Sequence, residues 1–323
     1  MTIPTLLIAA SATFASAPLV IPLVVAGDVI RRPPRLPMLR VYGFLAQYLF
    51  NDSTEILLAG PLWVLAGLGT RLDTEPSRRR HERLQAWSIR ILAKRAERLL
   101  GISHVFDPNS EAALGPGPAI VLCRHVNVFD ASLPSLLYQR IGCHTRGVIM
   151  AELLADPGFD LLYQRTGSVF IARDGTPSAR RHVQSLGEGL DVRTVAVIFP
   201  EGRLFRHDAL ERAMVRLLER SPERAARLAS LRHLLPPRPA GFLGLLDAAP
   251  SADVVIINHF GFDDVPALAD LARGAPLDLE IQVSVRRFAR ETVPVSADER
   301  IEWLDARWVE MDQWVEGRLP AST

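Results

Sequence analysis

From Thr2 to Gly27 the chain carries no charged residue, and Ile, Leu, Val and Ala dominate. A helix that is apolar all round has no solvent face, so it belongs in a bilayer or a large core. The stretch is long enough for a hydrocarbon core, which takes ~20 residues. Pro4, Pro18 and Pro22 lie within it, and membrane helices tolerate such prolines better than soluble ones do. Ala15-Ser16-Ala17 looks like a small-residue cleavage site, yet no Lys or Arg precedes the apolar stretch as a secretory leader requires. The expectation is therefore an uncleaved membrane anchor. Arg31, Arg32 and Arg35 follow it, which puts the downstream chain on the cytoplasmic side, at the inner membrane in a bacterial cell.

A second apolar run, Ile56 to Thr70, is short for a complete crossing and leads to Arg71 and then Arg78-Arg79-Arg80. Both apolar runs thus end at basic segments, and a second full crossing would leave one of them on the wrong side. One span followed by a re-entrant or interfacial segment satisfies both. The arginines then lie against anionic headgroups or in a solvated loop. Residues 28–55 and 71–82 read as polar connectors.

Beyond residue 82 the pattern changes. Leu84, Trp87, Ile91 and Leu92 share one helical face, and Gly101 is a C-cap candidate. Short apolar runs suited to buried strands follow at Ala119–Leu122, Gly147–Met150, Ser168–Ile171, Thr194–Phe199, Asp253–Asn258 and Leu277–Val285. Helical segments read at Asp130–Tyr138, Ser178–Leu190 and Asp208–His233 separate most of them. Ser296-Ala297-Asp298-Glu299 is a capping-box candidate that opens a last helix with Ile301, Leu304, Trp308, Met311 and Val315 on one stripe. Alternating strands and helices imply an α/β fold. The expected architecture is a central, mostly parallel or mixed sheet flanked by helices, with N-terminal membrane-associated helices. Sites in such folds gather at the carboxyl ends of the strands.

The formal net charge of +1 gives no support to nucleic-acid binding. Lys94 is the only lysine, so a Schiff-base or phosphate-loop lysine has no other position available. Cys123 and Cys143 form neither a metal spacing nor a disulfide framework, and the histidines show no zinc pattern, so no metal is expected. No Gly-x-Ser-x-Gly elbow occurs.

The chemistry concentrates at His125 and Asp130, five positions apart after the Ala119–Leu122 strand, and at Phe199-Pro200-Glu201-Gly202-Arg203 after the Thr194–Phe199 strand. A neutral imidazole takes a proton from an alcohol near pH 7. A carboxylate on its other nitrogen fixes the tautomer and stabilises the imidazolium as it forms. Without a nucleophile motif, direct attack by a bound hydroxyl fits better than a covalent acyl-enzyme.

His125-x4-Asp130 resembles the first motif of the glycerolipid acyltransferase family, which includes the 1-acylglycerol-3-phosphate acyltransferases. Gly167-Ser168-Val169-Phe170-Ile171-Ala172-Arg173 is similar to its second motif, and Phe199-Pro200-Glu201-Gly202 to its third. Leu235-Pro236-Pro237-Arg238-Pro239-Ala240-Gly241-Phe242 resembles the fourth-motif region of the lysocardiolipin-acyltransferase-like branch. The resemblance spans about residues 85–315, in the family's order. Arg124 stands where the family usually has Asn, Ala172 where it usually has Asp, and Arg203 directly follows Gly202.

The resemblance implies an O-acyltransferase in which His125 is the general base and Asp130 orients it. Arg173, Glu201, Gly202 and Arg203 would hold the acceptor headgroup. The acyl donor would be acyl-CoA or acyl carrier protein, used as a co-substrate with no resident cofactor. The acceptor would be a lysophospholipid, 1-acyl-sn-glycerol-3-phosphate first, giving phosphatidic acid. Another lysolipid acceptor, or a non-catalytic lipid-binding relative, are the alternatives. Residues 1–82 would be the membrane anchor and interfacial segment, in contact with membrane lipids. Residues 83–323 would be the catalytic domain with its C-terminal helix.

Overall fold

The computed structural model describes residues 2–31, 35–127, 129–172, 177–263 and 278–319. They divide into two compact units. One contains residues 1–104, 149–173 and 264–280; the other contains 105–148, 174–263 and 281–323.

In the first unit, α1 (Ile3–Arg31) is uncharged as far as Gly27 and little buried, as the apolar stretch predicts. By length and composition it can cross a bilayer. The connector expected over 28–55 is instead mostly a second long helix, α2 (Pro37–Leu65). Asp28 explains its start: the buried carboxylate accepts the N–H groups of Met38 and Leu39 at 3.2 and 3.0 Å, satisfying donors that a helix N-terminus leaves free. Pro37 stands at its first turn, where the missing N–H costs nothing. Tyr42 donates to the Thr13 carbonyl at 3.1 Å, and Phe14 meets Phe50 edge-on, so α2 packs on α1. The 71–82 connector is likewise mostly helical, because α3 (Glu75–Leu100) begins before it ends. The boundary expected at residue 82 therefore lies inside a continuous helix. Gly101 ends α3 in the left-handed conformation its sequence suggested.

The sheet has seven strands among the described residues: β1 (Ser103–Phe106), β2 (Ala119–Cys123), β3 (His144–Met150), β4 (Val169–Ile171), β5 (Thr194–Ile198), β6 (Asp253–Phe260) and β7 (Glu280–Phe288). Their order is β1-β7-β6-β2-β5-β3-β4. β2 runs parallel to β5 and β6, with Leu122 opposite Ile198 and Cys123 opposite Ile257. β3 is parallel to β5, whereas β7 is antiparallel to β6. The sheet is thus mixed, as expected. All five residues of β2 and of β5 are buried, which is why each reads as an unbroken apolar run.

Helices α4 (Ser110–Leu114), α5 (Leu133–Arg140), α6 (Pro177–Ser185), α7 (His207–Arg220), α8 (Pro222–Arg227) and α9 (Pro239–Ala248) complete the chain order up to β6. The helical region expected over 208–233 is two helices, with Pro222 opening the second. The last helix, α10 (Ala297–Glu316), starts at Ser296, whose hydroxyl oxygen accepts the Glu299 N–H as the capping box predicted. Its Leu304, Trp308, Met311 and Val315 are buried in the second unit.

Candidate active site

Parallel alignment puts the carboxyl ends of β6, β2 and β5 side by side. β2 delivers Arg124 and His125, β5 delivers Phe199 to Gly202, and β6 delivers His259. All lie in the second unit.

His125 Nδ1 stands 2.6 Å from Asp130 Oδ1. The other oxygen of Asp130 accepts the N–H groups of Val126 and Asn127 at 2.6 and 2.8 Å. Asp130 is fully buried and begins a short 3-10 turn ahead of α5, which folds its carboxylate back over the loop that precedes it. Asn127 tightens the same loop by accepting the Phe129 N–H. With the carboxylate as acceptor, Nδ1 carries the imidazole proton and Nε2 presents its lone pair. The His125 side chain keeps 21% of its surface open, so that lone pair can be reached. The Phe199 ring lies against the imidazole, centroids 4.5 Å apart.

The backbone of His125 is held from the other strand. Glu201 Oε1 accepts its N–H at 3.0 Å, and its carbonyl accepts the Phe205 N–H at 2.8 Å. Glu201 Oε2 accepts the Leu235 N–H at 2.9 Å. Glu201 is buried, and burial pushes its carboxyl up to about 8 even though those two N–H groups favour the charged form. Gly202 turns the chain at φ 68°, and its N–H donates to the Phe199 carbonyl at 2.9 Å. Arg203 follows, exposed. Arg173 lies outside the described residues.

Sequence reasoning missed the layer beneath. Arg124 is fully buried. Its guanidinium donates to the His259 carbonyl at 2.9 Å and the His233 carbonyl at 3.3 Å, and pairs with Asp263. It therefore ties the end of β2 to the end of β6. His259 is buried, and its Nε2 lies 3.1 Å from the Arg124 carbonyl and 3.6 Å from Asp130 Oδ2. Burial, ahead of the opposing pull of Asp130, lowers its pKa, so it is a neutral prop and not a second base. The segment supplying the Leu235 N–H is clamped by α10. Asp312 accepts the N–H groups of Arg232, His233 and Leu234, and Trp308 donates to the Leu235 carbonyl at 2.9 Å. Backbone donors leave no signal in sequence. The buried-type stripe of α10 and the arginine at a buried strand end were the only hints. Burial raises the Cys123 thiol far above its ordinary value, which leaves it inert as a nucleophile. No group of three or more His, Cys, Asp or Glu suited to a metal occurs among the described residues.

Residues 105–259 match the protein-family model described as Acyltransferase. No curated protein sequence matches the chain. Among solved structures it is similar to the 1-acyl-sn-glycerophosphate (LPA) acyltransferase PlsC from Thermotoga maritima. The TM-score is 0.51 and the identity 16%, over 87% of this chain and 98% of that one. At that identity the likeness speaks for the fold.

Proposed function

We propose that this chain, whose residues 105–259 match the Acyltransferase family model, transfers an acyl chain from a thioester donor to the free hydroxyl of a lysophospholipid. The observation that carries this reading is the bond between His125 Nδ1 and Asp130 at 2.6 Å, with Nε2 left open at the carboxyl edge of parallel strands. The acceptor hydroxyl gives its proton to Nε2 as its oxygen attacks the thioester carbonyl. A carbon–oxygen bond forms and the carbon–sulfur bond breaks. The imidazolium, stabilised by Asp130, returns the proton to the departing thiolate. The donor is acyl-CoA or acyl carrier protein, and the acceptor is 1-acyl-sn-glycerol-3-phosphate, which becomes phosphatidic acid.

Arg203 and Arg173 are assigned to the acceptor phosphate, which a guanidinium binds through two parallel hydrogen bonds. Glu201 has both oxygens engaged by backbone N–H groups. Its assigned role is therefore to fix His125 and the Gly202 turn, with no direct hold on the headgroup. Membrane association is supported by the apolar surface of the first unit: Leu19 and Leu23 on α1 and Leu57, Val64 and Leu65 on α2 are all exposed. The arginines that follow each helix argue for a catalytic face on the cytoplasmic side.

The test is the purified full chain in mixed micelles with acyl-CoA and lysophosphatidic acid, read as free thiol and by mass spectrometry of the lipid. Thiol release matched by phosphatidic acid is the expected result. Absence of turnover across a panel of lysophospholipids and both donor types would sink the proposal.

A further inference from the structure

A small cavity lies between the β6–β7 part of the sheet and α10, with a volume of about 80 Å³. Its floor comes from two cross-strand pairs, Asn258 opposite Ser284 and Ile256 opposite Arg286. Residues two apart on a strand share a face, so all four look toward α10. Met311 and Trp314 cover them from the helix. Asn258 and Ser284 are too short to fill the space beneath those two larger side chains. His259, one residue on, points to the opposite face, toward the Arg124 carbonyl and Asp130. The cavity is therefore behind the proposed site and separate from it.

The polar atoms around it are incompletely matched. Asn258 is 4% exposed, and its Nδ2 donates to the Met311 carbonyl at 3.1 Å. A carbonyl cannot donate, so the amide cannot turn round, and Oδ1 must face away from that carbonyl. Among the described residues Oδ1 has no partner. It is a buried acceptor on the cavity floor that calls for a donor. The charges at the rim lean the other way. Arg286 and Arg307 share the single carboxylate of Glu310, which leaves one positive charge in excess. Both guanidiniums lie over the Phe288 ring, 5.1 and 5.5 Å from its centroid, and are held in place by it. The Nε of Arg307 is buried and likewise has no partner among the described residues.

We propose that this cavity is a binding site for a small carboxylate with a hydrogen-bond donor on the neighbouring carbon, an α-hydroxy or α-amino acid. The carboxylate meets Arg286 and Arg307 at the rim. The hydroxyl or ammonium donates to Asn258 Oδ1, and a short apolar remainder packs on Ile256 and Met311. Size sets the upper limit. The volume is roughly half of the ~150 Å³ that admits a benzene ring, so a ligand body of a few atoms enters and an acyl chain or a nucleotide does not. Lactate and alanine are small enough and carry both groups.

The experiment is calorimetric titration of the full chain in detergent micelles with lactate, alanine and propionate. The three share a frame and differ in the group on the carbon beside the carboxylate. Lactate or alanine should bind about tenfold tighter than propionate, the scale of one hydrogen bond to an otherwise unmatched buried acceptor. A preference between lactate and alanine identifies the donor as hydroxyl or ammonium. Arg286→Gln, at a half-exposed position, should weaken every ligand about tenfold and keep the ratio to propionate. Asn258→Ala should instead bring that ratio close to one. Ser284→Leu, which fills the floor, should remove binding. No heat with any ligand, propionate binding as tightly as the others, or unchanged affinities in Arg286→Gln overturns the proposal. Arg286→Gln keeps the test decisive if a floor variant does not fold. Titration needs no turnover, so its outcome is independent of the acyl-transfer reading.

Discussion

Among the buried carboxylates of the described residues, two sets are solved in opposite ways. In the second unit Asp130 accepts from three donors, the His125 Nδ1–H and the N–H groups of Val126 and Asn127. In the first unit Asp52, Glu55 and Asp156 face one another, with Tyr48 donating to Asp156 at 2.7 Å. Asn51 donates to Glu55 at 3.1 Å, yet Asp52 Oδ2 and Asn51 Oδ1 have no partner among the described residues. Burial followed by repulsion from neighbouring acids pushes Asp52 up to about 7 and Glu55 up to about 8. Donors aimed at a carboxylate fix a side chain for chemistry; acids packed together make a region that answers to pH.

The largest effect that can break this contrast is at Asp130. Asp130→Ala removes the orienting acceptor and strands the N–H groups of Val126 and Asn127. Activity should fall about 10³- to 10⁴-fold, the range seen when a histidine base loses its carboxylate. A loss of under tenfold with the protein folded would mean that the pair does not act as a unit.

At Glu201 the prediction turns from chemistry to structure. Glu201→Ala orphans the His125 and Leu235 N–H groups, at a cost of about 1–3 kcal/mol for each buried unsatisfied group. Chemical denaturation of the second unit should show it, and kcat should fall with it. An effect confined to the KM of the acceptor would return Glu201 to the headgroup.

The acidic cluster predicts a pH dependence of definite sign. The folded chain keeps protons on Asp52 and Glu55 that the unfolded chain, with ordinary values of 3.8 and 4.5, has already released. Stability is therefore fully present below those ordinary values and declines as pH rises toward 8. Hydrogen exchange of the α2 amides should speed up more between pH 5 and 8 than intrinsic chemistry accounts for. Glu55→Gln should flatten that slope and leave turnover intact. The smallest effect is at the start of α2, where Asp28→Ala should cost about 1 kcal/mol, a typical helix-cap loss.

The same contrast explains what could be read in the sequence. β2 and β5 were visible because both faces of each are buried, so every residue is apolar. The His125 and Asp130 pair was visible because its partners lie within one turn. α2 was hidden because Asn51, Asp52, Ser53 and Glu55 are polar yet buried, against residues of α3 and the 156–163 segment. Polar residues in a sequence read as solvated unless their distant partners are known. The brace from Glu201 to Leu235 and the clamp from Arg124 to Asp263 depend on pairs brought together by the fold.

The central claim is that His125 is the base that activates the acceptor hydroxyl. It is tested most directly by thiol release from acyl-CoA with lysophosphatidic acid, comparing wild type with His125→Ala at equal folded concentration. The account predicts turnover in the wild type and a drop of at least about 10²-fold in kcat in the variant, the lower range of general-base catalysis. Equal rates for the two proteins would contradict it.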